Sequence, residues 1–322
     1  MRIAIMGAGA LGGTFGFLLA EAGFDVTLVD VDRTKIDAIR AQGITLLMPD
    51  GAERHREMKA TTDPHEMGVV DLVQISVKGY HTVSAIELAL PMVGPDTYVL
   101  SLQNGLNNLA RIAEVVGPER VIGGVTAHSA MPLSHTVIKY NGGMGGIYVG
   151  RYDGFEPGPW LVQLAHLFNA AGFETALIDG DVREPIWRKL LANSSVNAVA
   201  ALTGLTGREI QEIEWAANLV RALADETAAV ARAQGFSFPE LDAPGDYVIK
   251  TLDWVGDNKV SMLQDLEAGR RTEVENLQLA VVERGEKFGV DTPLNWALGS
   301  LLRTREQKML RDAQASKVAG GA

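Results

Sequence analysis

The chain has 322 residues, more than the ~100–200 of an ordinary single domain, so two domains are expected. Hydrophobic residues make up 47% and charged residues 21%, which describes a soluble globular protein able to bury a large core. A net charge of −11 excludes attraction to nucleic acid or an anionic membrane, and the absence of cysteine excludes disulfides, a thiolate nucleophile and cysteine-ligated metal.

The first stretch, RIAIM at 2–6, reads as a short buried strand. It runs into Gly7-Ala8-Gly9-Ala10-Leu11-Gly12, a G-x-G-x-x-G, and then an apolar helix ending near Gly23. An arginine followed by apolar residues superficially resembles a signal peptide, but the glycine spacing and the next strand fit a folded βαβ unit better. No apolar run reaches the ~18–20 residues a membrane span needs. With the lack of cysteine, this fits a cytoplasmic protein. In the glycine motif the first glycine permits a tight turn, the second admits a pyrophosphate to the backbone, and the third lets helix and strand pack. Amides at the new helix N-terminus then face the phosphates.

A second strand, Asp25–Val29, ends at Asp30. Its carboxylate stands where ribose hydroxyls are bound and would repel a 2′-phosphate, favouring NAD over NADP. Arg33 can counter that charge, and Asp30 also reads as a helix cap. A helix over about 33–42 and a hairpin around Pro49-Asp50-Gly51 follow. Two buried strands, 69–78 and 97–105, end in Lys78 and Asn104. In open α/β sheets ligands lie beyond the carboxyl ends of strands, so both residues are candidates for cofactor contact. An exposed loop lysine and a turn asparagine are the plainer readings. His128, at the end of a strand over 120–127, is a lone histidine of the kind that is more often structural than a base. The glycine-rich 140–150, a helix near 160–171 and a strand at 173–178 complete an α/β domain, with a boundary near 179–181.

Residues 184–210, EPIWRKLLANSSVNAVAALTGLTGREI, open the second half with a helix over about 187–202. Lys189, Asn193 and Asn197 recur every four residues and share one stripe. No charged residue separates Lys189 from Arg208, so the stripe is either the wall of a polar cleft or a surface helix of low charge. A long amphipathic helix over 208–234, a loop, a helix at about 246–256 and the turn at Gly269 follow. Thr272 with Glu275 has the spacing of a capping box, which predicts a helix start there and puts Glu273 in its first turn. A last helix covers 294 to about 311, with a frayed tail after it. The expected architecture is an α/β Rossmann-type N-terminal domain (1–181) followed by an all-α C-terminal domain (182–322).

Together GAGALG at 7–12, VK at 77–78, QNG at 103–105, WRKLLANSSVN at 187–197 and NKVSMLQDLEAGRRTE at 258–273 resemble the ketopantoate reductase (2-dehydropantoate 2-reductase) family over nearly the whole chain. The resemblance implies a helical domain like that of 6-phosphogluconate dehydrogenase and an NAD(P)H-dependent reductase turning a 2-oxo acid into a 2-hydroxy acid. It implies Lys189 as general acid and Glu273 as its active-site carboxylate. It also implies Asn193, Asn197, Asn258 and Ser261 as substrate ligands, and Lys78 and Asn104 on the cofactor side; a homodimer fits the resemblance and the long apolar C-terminal helices, and no metal-ligand constellation appears in the sequence. Gly207 stands where the family carries a further substrate amide, and the segment after Glu273 lacks the family's closing glycine. Those departures keep a different 2-oxo or hydroxy acid, or an opine-type imine, open as substrate. A dinucleotide sensor without turnover is the alternative from another class.

Overall fold

The computed structural model describes residues 1–154 and 158–320. The chain forms two compact units, one of residues 1–103 and 108–185, the other of 104–107 and 186 onward.

The first unit opens with β1 (Arg2–Met6), α1 (Ala10–Glu21), β2 (Asp25–Val29) and α2 (Arg33–Gln42). The hairpin β3 (Ile44–Leu47) and β4 (Glu53–Arg56) and the short β5 (Lys59–Thr61) follow. Then come β6 (Leu72–Ile75), α3 (Thr82–Ala89), β7 (Tyr98–Ser101), α4 (Asn108–Val116) and the long antiparallel pair β8 (Val121–Pro132) and β9 (Val137–Arg151). The unit closes with α5 (Pro159–Ala170) and β10 (Thr175–Leu177). The strands form a ten-stranded sheet ordered β4-β3-β9-β8-β7-β6-β1-β2-β5, with β10 on β9. Its run β5-β2-β1-β6-β7-β8 is parallel throughout, the strand order of a doubly wound dinucleotide-binding fold.

Burial explains why these segments are strands. All of Ile3–Met6 and Leu72–Ile75 are buried, as expected where helices cover both faces of a parallel sheet. Helix α1 is buried from Gly12 to Ala20 because it packs under the sheet rather than on the surface. His128 lies within β8 rather than at its end. Its ring packs against Phe15, Phe173 and Tyr140, its Nδ1 lies 2.5 Å from the Tyr140 hydroxyl, and burial lowers its pKa.

The second unit is helical: α6 (Arg183–Thr203, from Ile186 onward), α7 (Gly207–Glu212), α8 (Glu214–Ala233), α9 (Pro244–Val255), α10 (Ser261–Glu267), α11 (Gln278–Phe288) and α12 (Pro293–Gly320). Among the described residues, no helix is long and apolar enough to cross a membrane.

Three sequence expectations are corrected here. The single helix over 208–234 is two, because Thr206 and Glu209 make a capping box for α7 and the chain turns at Ile213 before α8. The capping box expected at Thr272 does not form, since the Thr272 hydroxyl and amide both donate to Glu306, 2.7 Å away in each case. Residues 273–277 are therefore turn, and the helix starts at Gln278. The tail expected to fray is helical through Gly320, and 321–322 lie outside the described residues.

Candidate active site

Parallel register brings β1, β2 and β6 to an end together, with Met6 opposite Val29 and Ile75. The glycine loop, Asp30 and residues 76–78 therefore share one edge of the first unit. Gly7 has φ +104° and donates its amide to Val29 O at 2.7 Å, so the turn demands glycine. The N-cap of α1 is Gly9, with no side-chain cap and no acidic residue in the first turn. The amides of Ala10, Leu11 and Gly12 are thus left for an anion. A Cβ added at Gly9 would meet nothing within 4 Å. That room beside bare helix amides is what a dinucleotide pyrophosphate requires, so the loop fits the cofactor implied by its motif.

Asp30 is held by three donors: the Ala8 amide at 2.9 Å, the Asp32 amide at 3.0 Å and the Lys35 ammonium at 2.8 Å. Burial pushes its pKa up, but the Lys35 ammonium and the two amides outweigh it and keep the carboxyl below its usual value. Asp30 does not cap α2; Asp32 does, accepting from Lys35 N. The cation beside Asp30 is Lys35 rather than Arg33, a pairing that sequence reasoning missed. Lys78 is partly buried and follows the end of β6 at the start of a 3₁₀ turn.

In the helical unit, α6 is the organising element. Ile186, Trp187, Leu190, Leu191 and Val196 to Ala201 are buried, so the helix is core and the surface-helix reading falls. Its hydroxyls return to the helix: Ser194 and Ser195 donate to Leu190 O and Leu191 O. Asn197 is only 6% exposed, yet among the described residues neither its amide nor that of Asn193 hydrogen-bonds within the protein. With Asn193 partly buried beside it, both amides keep their hydrogen-bonding capacity for a ligand.

Lys189 lies on the same stripe, partly buried. Burial lowers its pKa to about 8, against the field of Glu273, which raises it. Glu273 is itself buried, at 9% exposure, in the turn before α11. The same turn holds residues 104–107. Gly105 has φ +88°, and a Cβ there would lie 2.2 Å from the Asn276 carbonyl oxygen. That carbonyl also accepts from Leu106 N at 3.1 Å. Asn107 in turn accepts from Arg284 at 2.6 Å and donates to Glu283 at 2.9 Å. The helical unit thus brings Lys189, Glu273 and the Asn104 loop to one place.

Asn258 and Ser261 are exposed on the connection into α10, and neither hydrogen-bonds to that pair. Asn258 Nδ2 donates to Val255 O at 3.0 Å. Gly207 is buried in the first turn of α7, where a Cβ would stand 2.7 Å from the Val255 side chain. The position that lacks the expected amide therefore has no room for one while Val255 is there.

A cavity of about 400 Å³ opens at the other ends of the strands, where β1, β2 and β5 begin at Arg2, Asp25 and Lys59. Its cations are already engaged, Lys59 with Asp25 at 2.7 Å and Arg40 with Glu66 at 3.2 Å. It lies at the wrong strand ends for the chemistry of this fold.

Known proteins resemble the chain over nearly its whole length. Residues 3–154 match the family model described as ketopantoate reductase PanE/ApbA, and 181–306 match its C-terminal counterpart. The 2-dehydropantoate 2-reductase of Halobacterium salinarum is 33% identical over 95% of this chain and 99% of its own. That of Archaeoglobus fulgidus is 34% identical over 94% and 97%. Among solved structures, the 2-dehydropantoate 2-reductase of Geobacter metallireducens superposes with a TM-score of 0.88 at 31% identity, covering 94% of this chain and 99% of that one.

Proposed function

The chain belongs to the ketopantoate reductase PanE/ApbA family, and from that premise we infer that it is an oxidoreductase acting on CH–OH groups. It reduces a 2-oxo acid to the 2-hydroxy acid with a nicotinamide dinucleotide. The observation that carries this reading is the partly buried Lys189 lying in the field of the buried Glu273, an environment that brings its pKa down to about 8. A dinucleotide sensor has no use for a lysine tuned to give up a proton at working pH.

When bound, the reduced nicotinamide supplies the hydride. The residues of this chain then answer the negative charge that appears on the former carbonyl oxygen. Lys189 Nζ protonates that oxygen, and its depressed pKa makes the transfer easier than from an ordinary lysine. Glu273 keeps enough of the amine protonated to act and accepts from the product hydroxyl. Asn193 and Asn197 hold the substrate, while Ser261 and Asn258 bind its carboxylate, Asn258 through the N–H that Val255 does not use. Gly7 to Gly12 cradle the pyrophosphate, and Lys78 and Asn104 contact the nicotinamide half. The functional division is residues 1–181 for the dinucleotide and 182–322 for the substrate. A homodimer belongs to the same proposal, with Trp296 and Leu301, 60% and 58% exposed on α12, available to it; light scattering should then give twice the chain mass.

The reading is tested by a steady-state screen of ketopantoate and other branched 2-oxo acids, with and without amines, using NADH and NADPH in parallel. Turnover of ketopantoate supports it. Turnover only in the presence of an amine points to an imine substrate, and binding of the dinucleotide without turnover of any acid overturns it.

We further propose that NADH is preferred. Two like charges at ~4 Å repel by roughly 1–4 kcal/mol at a protein surface, so Asp30 should disfavour a 2′-phosphate by about tenfold or more. Asp30→Asn removes that charge and releases Lys35 from its partner. The ratio of kcat/KM for NADH over NADPH should then drop at least about tenfold. An unchanged ratio would assign cofactor choice elsewhere.

A further inference from the structure

The turn that carries Glu273 is short and irregular, and something must hold it. Glu306, on α12, is fully buried. Its Oε2 accepts from the Thr272 amide and from the Thr272 hydroxyl, both at 2.7 Å. Its Oε1 accepts from Arg303 Nη1 at 2.6 Å, with Arg271 Nε 3.8 Å away. The same two guanidiniums hold Glu275, Arg271 at 2.6 Å and Arg303 at 2.9 Å. The residues on both sides of Glu273, Thr272 and Glu275, are thus tied into one charged network. Within the turn, Glu273 O accepts from Asn276 N and Leu277 N, and Asn276 O receives the Leu106 amide.

We propose that Glu306 is a positioning residue of the active site, fixing the 271–277 turn so that Glu273 faces Lys189 and the Asn104 loop keeps its seat. A buried carboxylate is tolerated only when its oxygens are fully used, and here two of the four contacts go to the residue next to Glu273. The charge that raises the Lys189 pKa against its burial is that of Glu273. Glu226 on α8, also packed against α12, is spent on the Leu294 and Asn295 amides at the start of that helix. Glu283 and Arg284 of α11 are spent on Asn107.

This inference rests on the reading of Lys189 as the proton donor, and the experiment keeps the two apart. Glu306→Gln, Thr272→Val and Thr272→Ser are compared with the wild-type enzyme. The measurements are kcat against pH, dinucleotide affinity by fluorescence, amide exchange at 272–277, and the Lys189 titration followed by NMR of ¹³Cε-labelled lysine. Glu306→Gln and Thr272→Val should loosen the turn, lower kcat by about tenfold or more and move the Lys189 titration to lower pH, because the field of Glu273 is weakened. The phosphate-binding loop of the first unit is untouched, so dinucleotide affinity should fall far less than kcat, and Thr272→Ser, which keeps the hydroxyl, should behave as wild type. A loosened turn with the Lys189 titration and kcat both unmoved would make Glu306 merely structural and overturn the proposal. Should Glu306→Gln fail to fold, the Thr272 pair decides between the same outcomes. If the wild-type enzyme reduces no 2-oxo acid, the functional reading fails, but the NMR titration still tests whether Glu306 sets Glu273 against Lys189.

Discussion

Lys189→Ala is expected to lower kcat by about 10²–10⁴-fold, the usual worth of general acid–base help, with dinucleotide affinity and circular dichroism unchanged. The lysine is on a helix whose remaining stripe is amides, so no neighbour on α6 can replace the lost proton. In the wild-type enzyme the protonated amine is the active form. Reduction should therefore be near its plateau below pH 8 and fall as pH rises through about 8, where burial has placed this group. Glu273 raises the Lys189 pKa, so Glu273→Gln should shift that fall to lower pH as well as reduce kcat. Lys189→Arg should not rescue, because a guanidinium stays protonated at any working pH. Near wild-type turnover by a folded Lys189→Ala enzyme would remove this residue from the mechanism.

How far the sequence led depended on whether a feature was local. The G-x-G-x-x-G, the strand end before Asp30, the Pro49-Asp50-Gly51 hairpin and the four-residue repeat of Lys189, Asn193 and Asn197 are each written within a few residues, and each has its place in the structure, whereas the strand expected to run to Lys78 stops at Ile75. The start of α7 was legible in Thr206 and Glu209, but the apolar periodicity running across 208–234 hid the break at Ile213. Thr272 misled for the opposite reason. Its spacing to Glu275 suits a cap, yet Glu306, 34 residues away on α12, takes both its donors, and no short-range pattern announces such a partner. Lys35 was missed because the choice between it and Arg33 turns on which face of α2 meets Asp30, a matter of helix phase. Asn104 shows the same limit, since the sequence puts it at the end of a strand over 97–105, whereas β7 stops at Ser101 and the fold gives its loop to the helical unit through Asn276.

Two glycines of one motif should respond to an added side chain in different ways. A Cβ at Gly12 would lie 2.0 Å from the Gly7 carbonyl oxygen and 3.1 Å from the Ser76 side chain. The first of these is backbone in a turn already fixed by the Gly7 amide on Val29 O, so the helix must move away from the sheet. Overpacking of that kind costs about 1–3 kcal/mol, and Gly12→Ala should lower the midpoint of thermal or urea unfolding even without cofactor. At Gly9 the added methyl meets nothing, and the residue's backbone is extended, with φ −78°, which any side chain tolerates. Gly9→Val should therefore unfold like the wild type and lose instead the close approach of the pyrophosphate to the α1 amides. Its dinucleotide dissociation constant should rise by about tenfold to a hundredfold, or roughly 1.4–2.8 kcal/mol. Calorimetric titration of both variants, beside their unfolding curves, separates the two effects. If Gly9→Val bound the dinucleotide as tightly as wild type, the open space beside the amides of Ala10 to Gly12 would not be where the phosphates sit.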